Sequence, residues 1–354
     1  MSGIWGRNIK LSIFGESHGV AIGVTIHNLP AGFRLDMDEI EREMARRAPG
    51  GEFSTTRKEA DKVEIVSGIF EGKTTGAPLT GIIYNTNTRS KDYQPDIPRP
   101  SHSDYGWWVK TGGNNDYRGG GHSSGRITAP LVFAGAIAKQ ILAKKGIFVG
   151  SHILAIKEVY DLAFGTQITE CMLDDLTHCS FPVLDNRVRE SMQNEIISAR
   201  KEGDSVGGKI QCAVVGMPAG VGSPFFHSLE SELSSMLFSI PAVKAVSFGN
   251  AEDMSKTYGS IANDAWCITE DKISTKTNNN GGILGGISTG MPIVFDVTIK
   301  PTPSIYKEQD SVSLSKQEEC KLRIEGRHDP CILVRALPVV EAAAAIVMLD
   351  ALGE

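Results

Sequence analysis

The chain has 354 residues, 41% of them hydrophobic and 22% charged, with a formal net charge of −6. That is the composition of a globular protein large enough to bury a substantial core, and one or two domains fit in it. An acidic balance without a lysine or arginine run excludes non-specific nucleic-acid binding, so any anionic ligand must be met by local basic clusters. Six cysteines lack Cys-x-x-Cys spacing and eight histidines include no His-x-x-x-His pair, so neither a disulfide frame nor a metal site is expected. Residues Met1 to Arg7 carry no apolar signal segment, and the longest apolar run, Ala342 to Leu349, is far short of a membrane span. A cytoplasmic location with no membrane partner is the expectation.

In chain order, the alternation of Ile9 to Phe14 predicts a half-buried strand, and Gly15-Glu16-Ser17-His18-Gly19 follows it. Alone, that pentapeptide reads as a polar turn with a hydrogen-bonded histidine; it gains weight from what comes later. Ala21 to Ile26 predicts a second strand, stopped by Leu29-Pro30-Ala31-Gly32. Asp36 has the place of an N-cap, Asp38 and Glu39 suit the first turn, and Arg46-Arg47 suit the last. Strands are predicted at 63–69 and 79–84, flanking Gly72 to Pro78. Residues 85–128 form a long polar, glycine-rich connection with Arg89, Arg99, His102, Arg118, His122 and Arg126. A connection of that length is functional or disordered, and Tyr105, Trp107, Trp108 and Tyr117 argue for order. Pro130 then opens a helix apolar on all sides, hence a buried one, with Lys139, Lys144 and Lys145 near its C-terminus and Gly146 at its stop.

After a helix predicted from Asp185 to Glu202, the second half repeats this order. Gln211 to Val215 is a strand, Met217-Pro218-Ala219-Gly220 echoes Leu29 to Gly32, and Ser228 to Ser239 is amphipathic. Thr289-Gly290-Met291-Pro292 echoes Thr75 to Pro78 and leads into Ile293 to Ile299, and Pro338 to Leu352 is a second buried, alanine-rich helix. The pattern predicts an internal duplication of a β-α-β unit, approximately 24–146 and 211–353, inside one domain spanning 1–354. Each copy has a basic, histidine-bearing loop just before its buried helix: Arg118 to Arg126, and Gly326-Arg327-His328-Asp329-Pro330-Cys331. Glycines, hydroxyls and arginine at a helix start suit a phosphate, although each loop alone also reads as a helix-entry turn with solvated charges. Gly68 to Thr74 has one residue too few for a phosphate-binding loop, and Gly281 to Gly286 does not fit a dinucleotide fingerprint.

Taken together, three stretches resemble the signature regions of the chorismate synthase family: Gly15 to Gly19 through Gly32, Arg118 to Arg126 with its helix, and Gly326 to Cys331 through Glu341-Ala342. Arg99 to Tyr105, Asn250-Ala251 and Lys300-Pro301-Thr302-Pro303-Ser304 match further motifs, so the resemblance runs in order from about residue 7 to 350. It implies an α+β fold, a β-α-β sandwich with internal duplication and buried central helices, assembled as a homotetramer. It implies a lyase that eliminates phosphate in the anti 1,4 sense from 5-enolpyruvylshikimate 3-phosphate to give chorismate, in the shikimate pathway of aromatic amino-acid biosynthesis. The cofactor implied is reduced FMN (flavin chemistry shared with FAD), with no net redox change. NAD(P)H acts only indirectly, through flavin reduction. The proton lost in the elimination has no strong acidifying neighbour, so acid–base help alone is too weak and the cofactor must carry the hard step.

Carried over by motif, His18 would donate a proton toward the flavin, His102 would protonate the departing phosphate, and Asp329 would help remove the proton. Arg46, Arg47, Arg99, Arg126 and Arg327 would bind the trianionic substrate, with Arg47 also a candidate for NADP. Flavin contacts would come from His122, Ser123, Ser124, Asn250, Ala251, Gly285, Lys300, Pro301, Thr302, Pro303, Ser304 and Arg327. His122 and Phe53 stand where many relatives have arginine, which weakens two anion contacts, and Arg57 is the candidate to compensate. No reductase segment is recognisable, so an external flavin reductase is expected as partner. Two other functions stay open on the residues alone. One is a metal-dependent phosphohydrolase built on Glu16, His18, His102, His328 and Asp329; the other is a non-catalytic phospho-ligand binder.

Overall fold

Two helices apolar on every side, Thr128–Ala143 and Leu333–Ala351, are stable only where every face is covered. In the computed structural model they pack against each other and are enclosed by two antiparallel sheets. Their contact is close: a Cβ added to Gly135 would lie 2.1 Å from Ala342 Cβ, so only glycine permits this helix separation. The structure describes residues 3–50, 61–86, 93–269, 271–324, 326 and 328–353; Phe53, Arg57, Arg89 and Arg327 lie outside the described residues.

The first half contains β1 (Ile4–Trp5), β2 (Lys10–Gly15), β3 (Ala21–His27), α1 (Met37–Arg47), β4 (Glu64–Ser67), the ribbon β5 (Ile69–Phe70) and β6 (Lys73–Thr74), and β7 (Leu79–Tyr84). It ends with α2 (Asp104–Thr111) and the buried α3 (Thr128–Ala143). Between the halves run β8 (Phe148–Ile156), β9 (Val159–Tyr160), α4 (Glu170–His178) and α5 (Asn186–Lys201). The second half begins with β10 (Gly208–Val215), α6 (Leu229–Phe238), β11 (Val243–Phe248), and the short α7 (Ala251–Met254) and α8 (Gly259–Ala262). The hairpin β12 (Trp266–Thr269) and β13 (Lys272–Thr275) and the ribbon β14 (Ile283–Leu284) and β15 (Ile287–Ser288) follow. The half closes with β16 (Ile293–Ile299), the hairpin β17 (Gln309–Ser313) and β18 (Glu318–Leu322), and the buried α9 (Leu333–Ala351).

One sheet runs β1-β2-β3-β7-β4 and the other β11-β16-β10-β8-β9, so β2-β3-β7-β4 and β8-β10-β16-β11 share one order. The Pro-Gly turns match down to single bonds. Thr74 Oγ1 donates to Pro30 O and accepts from Phe33 N, and Ser288 Oγ donates to Pro218 O and accepts from Val221 N. Helices α1 and α6 begin alike: Asp36 accepts from Glu39 N–H and Ser228 from Ser231 N–H, caps worth about 1 kcal/mol each. The fold is therefore an α+β sandwich with central helices and an internally repeated plan.

Some elements depart from expectation. Helix α9 begins at Leu333, and Pro338 lies inside it, one hydrogen bond being given up within a fully covered helix. The polar connection 85–128 holds α2, whose mixed surface has weak periodicity. Lys139, near the C-terminus of α3, is drawn inward to Glu43 and Glu341. Among the described residues one helical stretch, Gly125–Ala143, is long and apolar enough to cross a membrane, and 72% of its apolar window is buried inside the fold.

Candidate active site

Strand β2 ends at Gly15 and delivers Ser17 to the wall of a cavity of about 900 Å³, a size at the upper end for ligand sites, with His18 next to it in the chain. Ser17 N–H donates to Gly121 O (3.2 Å), which joins this turn to the loop Arg118–Arg126. Ser17 Oγ donates to Arg118 O at 3.2 Å and lies 3.2 Å from His18 Nδ1. With the hydroxyl proton on the carbonyl, Oγ accepts from Nδ1–H, the tautomer in which Nε2 is the acceptor nitrogen of the neutral ring. The ring packs edge-on against Tyr93 and directly under the backbone of Gly119. Ser17, Tyr93 and Gly119 line the cavity; His18 sits immediately behind them.

His102 and Asp329 both line this space. The Nδ1–H of His102 donates to Pro100 O (3.0 Å) and Nε2 meets Ser304 Oγ at 2.9 Å. Burial, then the charge of Arg99, lowers its pKa to about 4, so the imidazole is neutral in the ligand-free protein. Asp329 is gripped by Arg335 Nη1 at 2.5 Å, and Arg335 Nε also donates to Arg47 O (3.0 Å).

The arginines come with counter-charges. Arg99 makes two 2.8 Å bonds to Asp104 and lies over the Tyr93 ring. Burial alone would raise the Asp104 carboxyl, but the bonds and charge of Arg99 hold it below the ordinary range. Arg126 lines the cavity and pairs with Asp61, which pairs in turn with Arg47. Arg47 is fully enclosed, bonded to Thr128 Oγ1 and Gly125 O; burial outweighs the pull of Asp61, and its pKa falls to about 10. Arg46 grips Glu341 (2.6 and 2.9 Å) and Glu43 (3.0 Å), carboxylates that outweigh its burial and raise its pKa. Neither Arg46 nor Arg47 lines the cavity.

Of the expected flavin contacts, His122, Ser123, Ser124, Lys300, Thr302, Pro303 and Ser304 line the same space, while Pro301 does not. His122 Nδ1–H donates to Gly15 O (2.7 Å), Ser123 Oγ accepts from Trp107 Nε1, and Ser124 Oγ accepts from Arg126 N–H (3.3 Å). Asn250, Ala251 and Gly285 stand apart. The turn at Gly285 and Gly286 packs on Ser228, at the start of α6, whereas the cavity is lined from Ser235 onward, past the middle of that helix. Asn250 likewise follows the far end of β11, whose first residues reach the cavity. Asp61, Tyr93, Lys244 and Arg335 were not anticipated. No local motif marks them, and only Asp104 had a signal, by lying inside the Arg99–Tyr105 stretch. Among the described residues no three His, Cys, Asp or Glu side chains gather as a metal site.

A family model described as chorismate synthase matches residues 9–352. The chain belongs to the chorismate synthase family. It is 45% identical to chorismate synthase of Methanobrevibacter smithii, with 99% of this chain and 96% of that protein covered. It is 44% identical to that of Thermococcus gammatolerans (98% and 96%) and 41% identical to that of Lancefieldella parvula (99% and 96%). A crystal structure of chorismate synthase superposes with a TM-score of 0.77 at 26% identity, over 98% of this chain and 92% of that one. As a chorismate synthase family member the chain is a lyase of the shikimate pathway. It eliminates phosphate from 5-enolpyruvylshikimate 3-phosphate to give chorismate, for aromatic amino-acid biosynthesis.

Proposed function

We propose that the elimination takes place in the cavity shared by His102, Asp329, Arg99, Arg126 and the Lys300–Ser304 segment, with reduced FMN as cofactor. The observation that carries this reading is the meeting, in one space of about 900 Å³, of phosphate-type donors with an apolar wall that includes Ile13, Leu131, Met236 and Ile332. That donor set fits a flavin nucleotide beside a phosphorylated cyclohexene. His122, Ser123, Ser124 and Lys300 to Ser304 would hold the cofactor. When bound, reduced flavin supplies electron density to the substrate as phosphate departs and takes up the proton, with no net redox change.

The chain's own residues orient the substrate and manage protons. Arg99, Arg126 and Arg327 bind the phosphate and carboxylates, the arginine fork suiting both. Neutral His102 gains a proton at Nε2 when a phosphate dianion arrives, because a nearby anion favours the imidazolium, and it returns that proton to the leaving group. His18, its Nδ1 tied to Ser17, would take up and donate a proton at Nε2. Asp329, oriented by Arg335, would help carry away the proton that the flavin has taken up. Arg46 and Arg47, enclosed behind the cavity, contribute through Glu341 and Asp61 and not by touching substrate or NADP.

The wider reading is of one domain over 1–354 made of two copies, near 24–146 and 211–353, each preceded by a strand of the same sheet position. A homotetramer is supported by the position of Asn250, Ala251 and Gly285 away from the cavity within one chain. It is supported too by exposed Phe225, Phe226, Tyr258 and Ile268. A cytoplasmic enzyme served by an external flavin reductase completes the proposal.

The test is an anaerobic assay with reduced FMN, following phosphate and chorismate together. Equal amounts of both products, strictly dependent on the flavin, are expected. Phosphate release without chorismate, without flavin and abolished by a chelator would instead mark a metal-dependent hydrolase. Unchanged function in His102→Ala would mark a binder.

A further inference from the structure

Among the described residues, the two arginines lining the cavity each face a carboxylate, Arg99 with Asp104 and Arg126 with Asp61, and Asp329 is paired by Arg335 behind it. Lys244 and Lys300 differ. Both line the cavity, and neither ammonium has a carboxylate at ion-pair distance among the described residues. The two are neighbours through the sheet, since Val243 pairs with Ile299 and Lys300 N–H donates to Ala242 O (3.0 Å). Lys300 Nζ donates to Ser101 O (2.7 Å), beside His102, and burial together with the charge of Lys244 lowers its pKa.

Lys244 is also special in its backbone. Val243 pairs with Ile299 and Ala245 with the adjacent Thr298, so Lys244 is the extra residue of a β-bulge. Bulges are a recurrent means of re-aiming a side chain next to a site. Two neighbouring like charges raise the free energy of the empty site, and a dianion relieves them. His102, bonded to Ser304 on the segment that Lys300 opens, stands at the same corner.

We propose that Lys244, with Lys300, forms a phosphate-binding corner that takes a phosphate monoester dianion beside His102. The dianion is that of the substrate or that of the flavin nucleotide, and the chemistry of recognition is the same. This inference rests on the reading of the cavity given above. It assigns the otherwise unexplained Lys244 a direct ionic contact, and it explains why the bulge falls where β11 meets the cavity.

The test is equilibrium binding to the full-length protein, oxygen excluded, for the wild type, Lys244→Gln, Lys244→Arg and the exposed control Lys256→Gln. The probes are FMN against riboflavin, and 5-enolpyruvylshikimate 3-phosphate against 5-enolpyruvylshikimate. Lys244→Gln is expected to lose about 10- to 100-fold for one phosphorylated ligand and nothing for its unphosphorylated counterpart, the scale of one charged hydrogen bond. A loss on FMN assigns the corner to the cofactor; a loss on the phosphorylated substrate assigns it to the substrate. Lys244→Arg should recover most of the loss. Equal losses for phosphorylated and unphosphorylated ligands, or no loss for either, would overturn the proposal. If the wild type bound neither FMN nor substrate, the reading of the cavity would fall and this one with it. Binding by the wild type with Lys244→Gln unaffected removes only the role of Lys244.

Discussion

His102 is neutral in the empty site, yet the role proposed for it needs a proton at Nε2. The difference must be supplied on binding. With its pKa near 4 when ligand-free, set by burial and then Arg99, the ring takes up a proton once a phosphate dianion raises that value. At pH 7.5 a phosphate monoester is already dianionic, its second pKa being about 6, so uptake there reports the protein. Calorimetry of substrate binding in buffers of different ionisation enthalpy should show an uptake approaching one proton. His102→Gln should abolish it and slow turnover by about 10²- to 10⁴-fold. Buffer-independent heats in the wild type would remove the acid role from His102. Sequence singled out His102, Asp329, Arg99 and Arg126, which line the cavity, because each lies in a local motif. It could not carry Asp61 or Arg335, because a counter-charge is defined by what it faces in space.

At the level of elements, the loop Arg118–Arg126 and the turn Gly15–Gly19 act as one piece. Gly119 has φ +60°, and a Cβ there would lie 2.4 Å from His18 Cε1 and Nδ1 and 2.7 Å from Ser17 Oγ. Such contacts are impossible without displacing the imidazole. Gly119→Ala should therefore cost about 1–3 kcal/mol in stability from the strained backbone, and should lower kcat beyond that by moving His18. A thermal melt and steady-state kinetics check this, and normal kcat in a destabilised variant would separate His18 from catalysis. The helices whose ends carry chemistry of their own were legible: the Asp36 cap falls where the sequence puts it, and the helices expected from Asp185 and Ser228 begin there, each of these residues serving as the cap. Helix α2 was not, since Asp104 to Thr111 has no buried face to impose a period. The start of α9 was missed because Pro338 looks like a first-turn proline, while the surrounding sheets supply enough burial to carry the helix through it.

Across the whole molecule, the cavity is assembled from both halves, so its shape depends on how they are held together. The fastening is electrostatic at one point. Glu341 of α9 is completely buried and accepts from Arg46 of α1 (2.6 and 2.9 Å), Lys139 of α3 (2.5 Å) and Ser151 of β8 (2.7 Å). Burial alone would raise its pKa, but Arg46 and Lys139 overcome that and bring it to about 2. Glu43 is the second carboxylate facing these two cations, so the cluster is balanced until Glu341 is removed. A carboxyl depressed on folding contributes stability above its unfolded pKa of about 4.5, and that contribution is lost as pH falls from there toward 2. Glu341→Gln leaves a cation buried in excess and should cost about 3–5 kcal/mol at pH 7. It should also flatten the fall in stability between pH 4.5 and 2, since the titrating group is gone. Denaturant unfolding across that pH range measures both effects. If Glu341→Gln matched the wild type at pH 7 and kept the same acid limb, the bonds between α9, α1 and α3 would not be what registers the two halves, and packing of Gly135 on Ala342 would have to do so alone.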